Sequence, residues 1–270
     1  MPLLLGVLAN IIWGLTPVYF YFFRSYDAYN VIFMQVTSTL IVLLLLRGRR
    51  FSLKLISSHI FTAGLLFINW LSYFLAIQSG RAIEASLGYL LLPFLTILCG
   101  VFLLRESITR NAIISLLISL IGVLFLIYTN KQIPFFGIII AASFASYITI
   151  HKLMNNHDPF TSLFHELLII MPLFLVFSYF YNDRLDINLS DNLALLPLGV
   201  IVTTPLILYL TAIKSLTLLK SGIIQLISPI IIVIVSVLFF KEPMEIQSLL
   251  SYMVIIAGFL SISLCKKNIN

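Results

Sequence analysis

The side chains able to do chemistry in this sequence lie inside apolar stretches and at similar depths within them. Asn10 and Trp13 share one stretch, and Asn69, Trp70 and Tyr73 share a second. Tyr89, Tyr147, Tyr209 and Gln225 occupy four more. Aromatic faces with a few amides bind small molecules reversibly; they do not make or break bonds. Trp13, Trp70, Tyr73, Tyr89 and Tyr147 would pack on the apolar or ring part of a solute. Asn69 and Gln225 would fix its polar groups, and Asn10 and Tyr209 complete the candidate lining. A membrane enzyme would need His, Asp or Glu gathered at one depth, and the sequence has no such cluster, no metal-ligand spacing and no ATP-binding motif. The expectation is therefore a non-enzyme with no cofactor and no metal.

Three ionisable residues stand apart. Glu166, beside His165, lies about five residues into an apolar span, where a carboxylate is costly and faces the interior or a cavity. It has three readings: pairing with a cationic solute, carrying a coupling proton, or bonding a neighbouring helix. Arg81 and Glu84 sit three apart at the mouth of another span, either as a solvated helix-start pair or as a gate. Prolines mark the same region. Pro93 and Pro229 lie near the centres of their spans, and Pro17 and Pro205 also fall inside spans. Each removes a helical N–H, and Pro93 and Pro229 free the carbonyls of Tyr89 and Gln225. The break either serves packing or supplies a hinge beside a wet cavity.

Such groups need apolar helices to hold them. The chain has 270 residues, of which 61% are hydrophobic and 10% charged, against about 25% charged in a soluble protein. Its mean hydropathy is +1.11. Continuous Leu, Ile and Phe runs, without the alternation of a barrel strand, predict a polytopic all-α membrane protein. Ten spans are expected, the first five being 2–23, 29–46, 56–77, 82–104 and 111–128. The second five are 135–154, 161–181, 193–213, 221–240 and 246–265. Spans two, five and ten are the most uniformly apolar, which suits outer positions. The first span has no basic leader or cleavage site and is expected to be a retained helix. Partners are then a small-molecule substrate and the lipid bilayer, not nucleic acid, with the chain a monomer or homodimer.

A single constant offset, without gaps, superimposes Tyr73 on Tyr209, Pro93 on Pro229, Arg105–Glu106 on Lys241–Glu242 and Gly122 on Gly258. Residues 1–130 and 131–270 thus form two five-span units. Five is odd, so the second unit is inserted upside down relative to the first, an architecture of transporters. Eleven Lys and Arg fall on the side of the termini and five on the other, which places both termini in the cytoplasm.

The stretches ANIIWGLTPVYF, NWLSYFLAIQSGRAIEASLGYLLLPF, ASFASYITIHK, HELLIIMP and TTPLILYL…GIIQLISP together resemble the RarD branch of the EamA group, in the drug/metabolite transporter superfamily. The resemblance covers nearly the whole chain. It implies ten helices in two inverted repeats and transport of small organic solutes across a bacterial inner membrane. By position it implies roles for Trp13, Gly14, Pro17, Asn69, Trp70, Glu84 and Gly88. It implies the same for Tyr89, Pro93, Glu166, Pro205, Gln225, Pro229 and Glu242. HELL stands where the family has an ETLL-like run, and QLISP where QYI-P is usual, which removes an aromatic. The expected function is secondary transport of amino-acid, nucleoside or related solutes by alternating access, with a passive channel or facilitator as the alternative.

Overall fold

A computed structural model describes residues 1–21, 28–47, 56–79, 81–130, 133–154, 157–180, 196–239, 241 and 246–264. Among them every regular element is a helix. The order is α1 (Pro2–Tyr21), α2 (Ala28–Arg47), a 3-10 turn (Ile56–His59), α3 (Ile60–Gln78), α4 (Ala82–Phe102), α5 (Arg110–Asn130) and α6 (Phe135–Leu153). It continues with α7 (Pro159–Phe180), α8 (Leu198–Ile213), α9 (Leu218–Gln225), α10 (Ile227–Leu238) and α11 (Ile246–Leu264). Six apolar helical segments are long enough to cross a membrane, the α9–α10 run counting as one, and four more are shorter. Spanning segments must satisfy their backbone internally, so these runs form helices whatever their individual propensities.

Local signals set the helix starts. Asp158 caps α7 by accepting from the Thr161 N–H at 3.1 Å, with Pro159 next in line, where its missing N–H costs nothing. Thr109 accepts from the Ala112 N–H at 3.2 Å ahead of α5, and Thr217 from the Lys220 N–H at 3.2 Å ahead of α9. The expected ninth span departs from a single helix. Its α-helical hydrogen bonding is interrupted at Leu226, between α9 and α10 and three residues before Pro229, where the Leu226 N–H turns to the Ile223 carbonyl at 3.3 Å while the backbone keeps helical angles. The span holding Pro93 stays continuous as α4.

The main core joins α1, α2, α3, α6, α7 and α8 through residues such as Ala9, Val36, Leu66, Ile148, Leu167 and Leu210. A second cluster joins α4, α5 and α11 around Leu90, Phe94, Val123 and Phe259. Here α5 and α11 run antiparallel with reciprocal contacts. A Cβ on Gly122 would meet the Ile255 side chain at 2.8 Å and the Ser251 carbonyl at 3.0 Å. A Cβ on Gly258 would meet the Ser115 carbonyl at 2.8 Å and crowd Ser119. The offset that carries Gly122 onto Gly258 also carries Ser115 onto Ser251 and Ser119 onto Ile255. Arg105 and Lys241, related in the same way, are the non-glycine residues with positive φ among those described, each at 55°. That backbone region is uncommon for such side chains, so its recurrence at both positions marks a shared turn after the helix.

One end of the bundle is tied together by polar contacts. The Glu106 carboxylate, after α4, accepts the N–H groups of Leu218 at 2.8 Å and Leu219 at 3.1 Å, the first turn of α9. Lys152, at the end of α6, donates to the Ile213 carbonyl at 3.0 Å and to that of Leu216, at the end of α8. Lys214 donates to the His157 carbonyl at 2.5 Å. The start of α1 reaches this end too, since a Cβ on Gly6 would lie 3.6 Å from that of Ala212.

A polar and aromatic cavity as the candidate site

A cavity of about 100 Å³ lies between α1, α2, α3, α4, α6, α8, α9 and α10. Its residues sit about 10–20 Å along their helices from the tied end, at 1.5 Å rise per residue. Trp13, Trp70, Tyr73, Phe74, Tyr89 and Phe144 form aromatic walls. The polar groups are Asn10, Thr16, Gln35, Asn69, Gln225 and Ser228. Among the described lining residues there is no Asp, Glu, Lys, Arg or His.

The amides are held firmly. Asn69 on α3 donates through Nδ2 to the Ile140 carbonyl at 2.9 Å and the Ser143 hydroxyl at 3.3 Å, both on α6. Asn10 donates through Nδ2 to the Gly6 carbonyl one turn back, at 2.9 Å. Gln225, the last residue of α9, donates through Nε2 to the Tyr209 hydroxyl at 2.8 Å, while its Oε1 is buried and accepts nothing. Helices approach closely next to lining residues. A Cβ on Gly88 would fall 2.8 Å from the Gly137 carbonyl, and one on Gly14 would fall 2.6 Å from Ile231.

Seven of the nine candidate binding residues line this cavity: Asn10, Trp13, Asn69, Trp70, Tyr73, Tyr89 and Gln225. The other two stand behind it. Tyr209 is fully buried and backs Trp13, ring centroids 5.4 Å apart. Tyr147 is fully buried and stacks on the cavity residue Phe144 at 5.7 Å and 14°. Pro17 lines the cavity, Pro93 and Pro229 lie within one turn of lining residues, and Pro205 is buried in α8 beside the lining residue Leu206. Arg81 is exposed, with its guanidinium 5.9 Å from the Phe136 ring centroid. The side chain of Glu84 and all of Glu242 lie outside the described residues.

Sequence reading missed Gln35. It sits in α2, which looks uniformly apolar, yet an amide eight residues into a twenty-residue apolar helix, beyond Asn30 near its start, was itself a signal. It also missed the partners of the histidines. Glu166 is fully buried, with Oε1 2.6 Å from His151 Nε2 and Oε2 accepting from the Tyr147 hydroxyl at 2.9 Å. His59 meets His165 through their Nδ1 atoms at 3.3 Å, and its Nε2 lies 3.4 Å from His157 Nδ1. All four histidines of the chain thus have close imidazole or carboxylate neighbours at the tied end. His59 presents a different nitrogen to each neighbour, so the trio forms a chain and does not converge on one point.

The EamA-like transporter family matches residues 1–128 and, separately, 132–264. The uncharacterized transporter YojE of Bacillus subtilis is 27% identical over 93% of this chain and 89% of its own. Protein RarD of Escherichia coli is 25% identical over 88% of this chain and 86% of its own. A protein of known crystal structure superposes with a TM-score of 0.76, covering 99% of both chains at 18% identity, which bears on the fold alone.

Proposed function

The chain belongs to the EamA-like transporter family and resembles its RarD proteins, and from that premise we propose that it is a carrier of small organic metabolites in a bacterial inner membrane, working by alternating access. The observation that carries this reading is one uncharged, aromatic and amide-lined cavity set away from an end of the bundle that polar contacts tie shut. Carriers need a site reached from one side at a time, and such a tie is what one of two alternating states requires. The solute classes remain amino acids, nucleosides and related metabolites.

The architecture in this reading is ten helices in two inverted repeats, residues 1–130 and 131–270. Three observations support it: the family matches each half separately, α5 and α11 exchange equivalent contacts while antiparallel, and Arg105 and Lys241 share one rare turn. An antiparallel pair that contacts itself reciprocally has its two-fold axis across the helices, hence in the membrane plane. The excess of basic residues on the side of the termini supports cytoplasmic termini.

Glu166 is the candidate coupling residue. Its carboxylate and the His151 imidazole share a 2.6 Å contact, and Tyr147 links them to the cavity wall through Phe144. Without a nucleotide site, the driving force is a solute or ion gradient. Glu166→Gln is expected to give uptake that no longer responds to a pH gradient; concentrative, gradient-driven uptake like the parent's would remove Glu166 from coupling.

Counterflow into proteoliposomes preloaded with mixed amino acids, nucleosides and aromatic metabolites tests the carrier. Saturable accumulation of a labelled solute is the expected result. Flux linear in concentration, without counterflow, would replace the carrier with a channel.

A further inference from the structure

Resting on the carrier reading above, we propose that the cavity selects solutes by their N–H donors: it takes a small aromatic or alkyl amine, bound as its ammonium ion, in preference to a carboxylate or phosphate of similar size. The argument begins with the three amides. Each uses its NH2 group on the protein, at the Gly6 carbonyl, the Ile140 carbonyl and the Tyr209 hydroxyl. Backbone carbonyls only accept, so the Asn10 and Asn69 orientations are fixed by chemistry. What remains for the cavity is the oxygen of Asn10 and of Asn69, while the Gln225 oxygen stands covered beside it, its amide set by the Tyr209 hydroxyl. None of the three oxygens accepts a hydrogen bond among the described residues, and that of Gln225 is buried.

Three backbone acceptors add to this set. Trp13, Tyr89 and Gln225 line the cavity, and each stands four residues before a proline: Pro17, Pro93 and Pro229. In each case the carbonyl loses the N–H that a helix would supply. Three lining residues so placed leave acceptor capacity in the helix backbones that surround this space. A buried acceptor left unmade is costly, so a solute that donates to it gains more than one that does not.

Charge and ring chemistry point the same way. A carboxylate or phosphate entering this cavity would find no described cation to pair with, and an unpaired buried anion is strongly disfavoured. An ammonium ion would find side-chain amide oxygens together with the rings of Trp13, Trp70, Tyr73 and Tyr89, whose faces attract cations. Glu166 does not contribute directly, because Tyr147 and Phe144 stand between it and the space.

The chain contains two tryptophans, and both line the cavity, so its own fluorescence reports occupancy. The full chain in nanodiscs would be titrated with phenethylamine, 2-phenylethanol and phenylacetate at neutral pH. Saturable quenching by phenethylamine at a concentration at least about tenfold below that for phenylacetate is expected, corresponding to roughly 1.4 kcal/mol. The alcohol, with one donor and no charge, should fall between them. Gln225→Leu is expected to weaken phenethylamine about tenfold and leave 2-phenylethanol within about threefold. Phenylacetate binding as tightly as the amine, or no saturable quenching by any probe, would overturn the proposal. The ligand series on the parent chain decides this even if the variant misfolds. Amine-selective binding without counterflow of labelled phenethylamine would overturn the carrier reading alone; counterflow of another solute without amine preference would overturn this inference alone.

Discussion

Two regions that the sequence offset equates, one from each half, border the cavity with the same plan and different outcomes. In the first, Tyr73 meets Tyr89 edge to face, centroids 6.0 Å apart, and α4 continues through Pro93. In the second, Tyr209 accepts a hydrogen bond from Gln225, and the helical hydrogen-bond ladder is interrupted at Leu226 ahead of Pro229, with the backbone still helical. The run before Pro93 is Leu90–Leu92, three good helix formers; before Pro229 it is Leu226, Ile227 and Ser228, two of them weaker. One freed carbonyl is a small term either way, so neighbouring residues decide whether the hydrogen-bond ladder continues or is interrupted. The two regions also touch: a Cβ on Gly222 would lie 2.9 Å from the Pro93 carbonyl. The lesson is that positions related by the offset preserve the site of the weak point but not its form, leaving one continuous and one locally interrupted helix beside the cavity.

The largest expected departure from symmetry is Glu166→Ala. The same offset carries Tyr147, His151 and Glu166 back to Ile11, Leu15 and Asn30, so the second half alone holds this buried trio. Removing the carboxylate should cost about 3 kcal/mol, read as a lower unfolding temperature in detergent. Next, Gly122→Leu and Gly258→Leu should destabilise by equal amounts of about 2 kcal/mol each, since both wedge the same α5–α11 contact. Unequal losses would break the reciprocity. Third, Pro229→Ala should slow turnover roughly tenfold by restoring the missing N–H and completing the hydrogen-bond ladder between α9 and α10, whereas Pro93→Ala should change it less than about threefold. The smallest effect belongs to Tyr89→Gln, which makes the first region like the second. It forfeits the Tyr73 ring contact, about 1 kcal/mol, and should raise the half-saturation concentration for an aromatic solute a few-fold.

Much of the helical layout was legible because lipid leaves the backbone no alternative. The expected span 82–104 is observed as Ala82–Phe102, 135–154 as Phe135–Leu153 and 111–128 as Arg110–Asn130. Depth was legible as well, and it placed Asn10, Trp13, Asn69, Trp70, Tyr89 and Gln225 near one level. Rotation was not. In helices apolar on every side, no polar face tells which residues point inward, so Tyr147 and Tyr209 read as lining but stand one layer behind it. Pairings between helices were equally hidden. His151 and Glu166, or His59, His157 and His165, meet only once the helices pack, and no local spacing announces them.

The Glu106 carboxylate gives the molecule a resting preference. It belongs to the turn after α4 yet holds the first turn of α9, so a single side chain couples the two halves at that end. Hydrogen bonds to a charged acceptor are worth about 1.5–3 kcal/mol each. Forfeiting one without replacement moves a two-state population by roughly tenfold or more. Under the proposed alternating access, Glu106 biases how often the chain visits its other state. Glu106→Gln, which keeps the shape but weakens the acceptor, should lengthen those visits and show as faster downhill efflux at unchanged solute affinity.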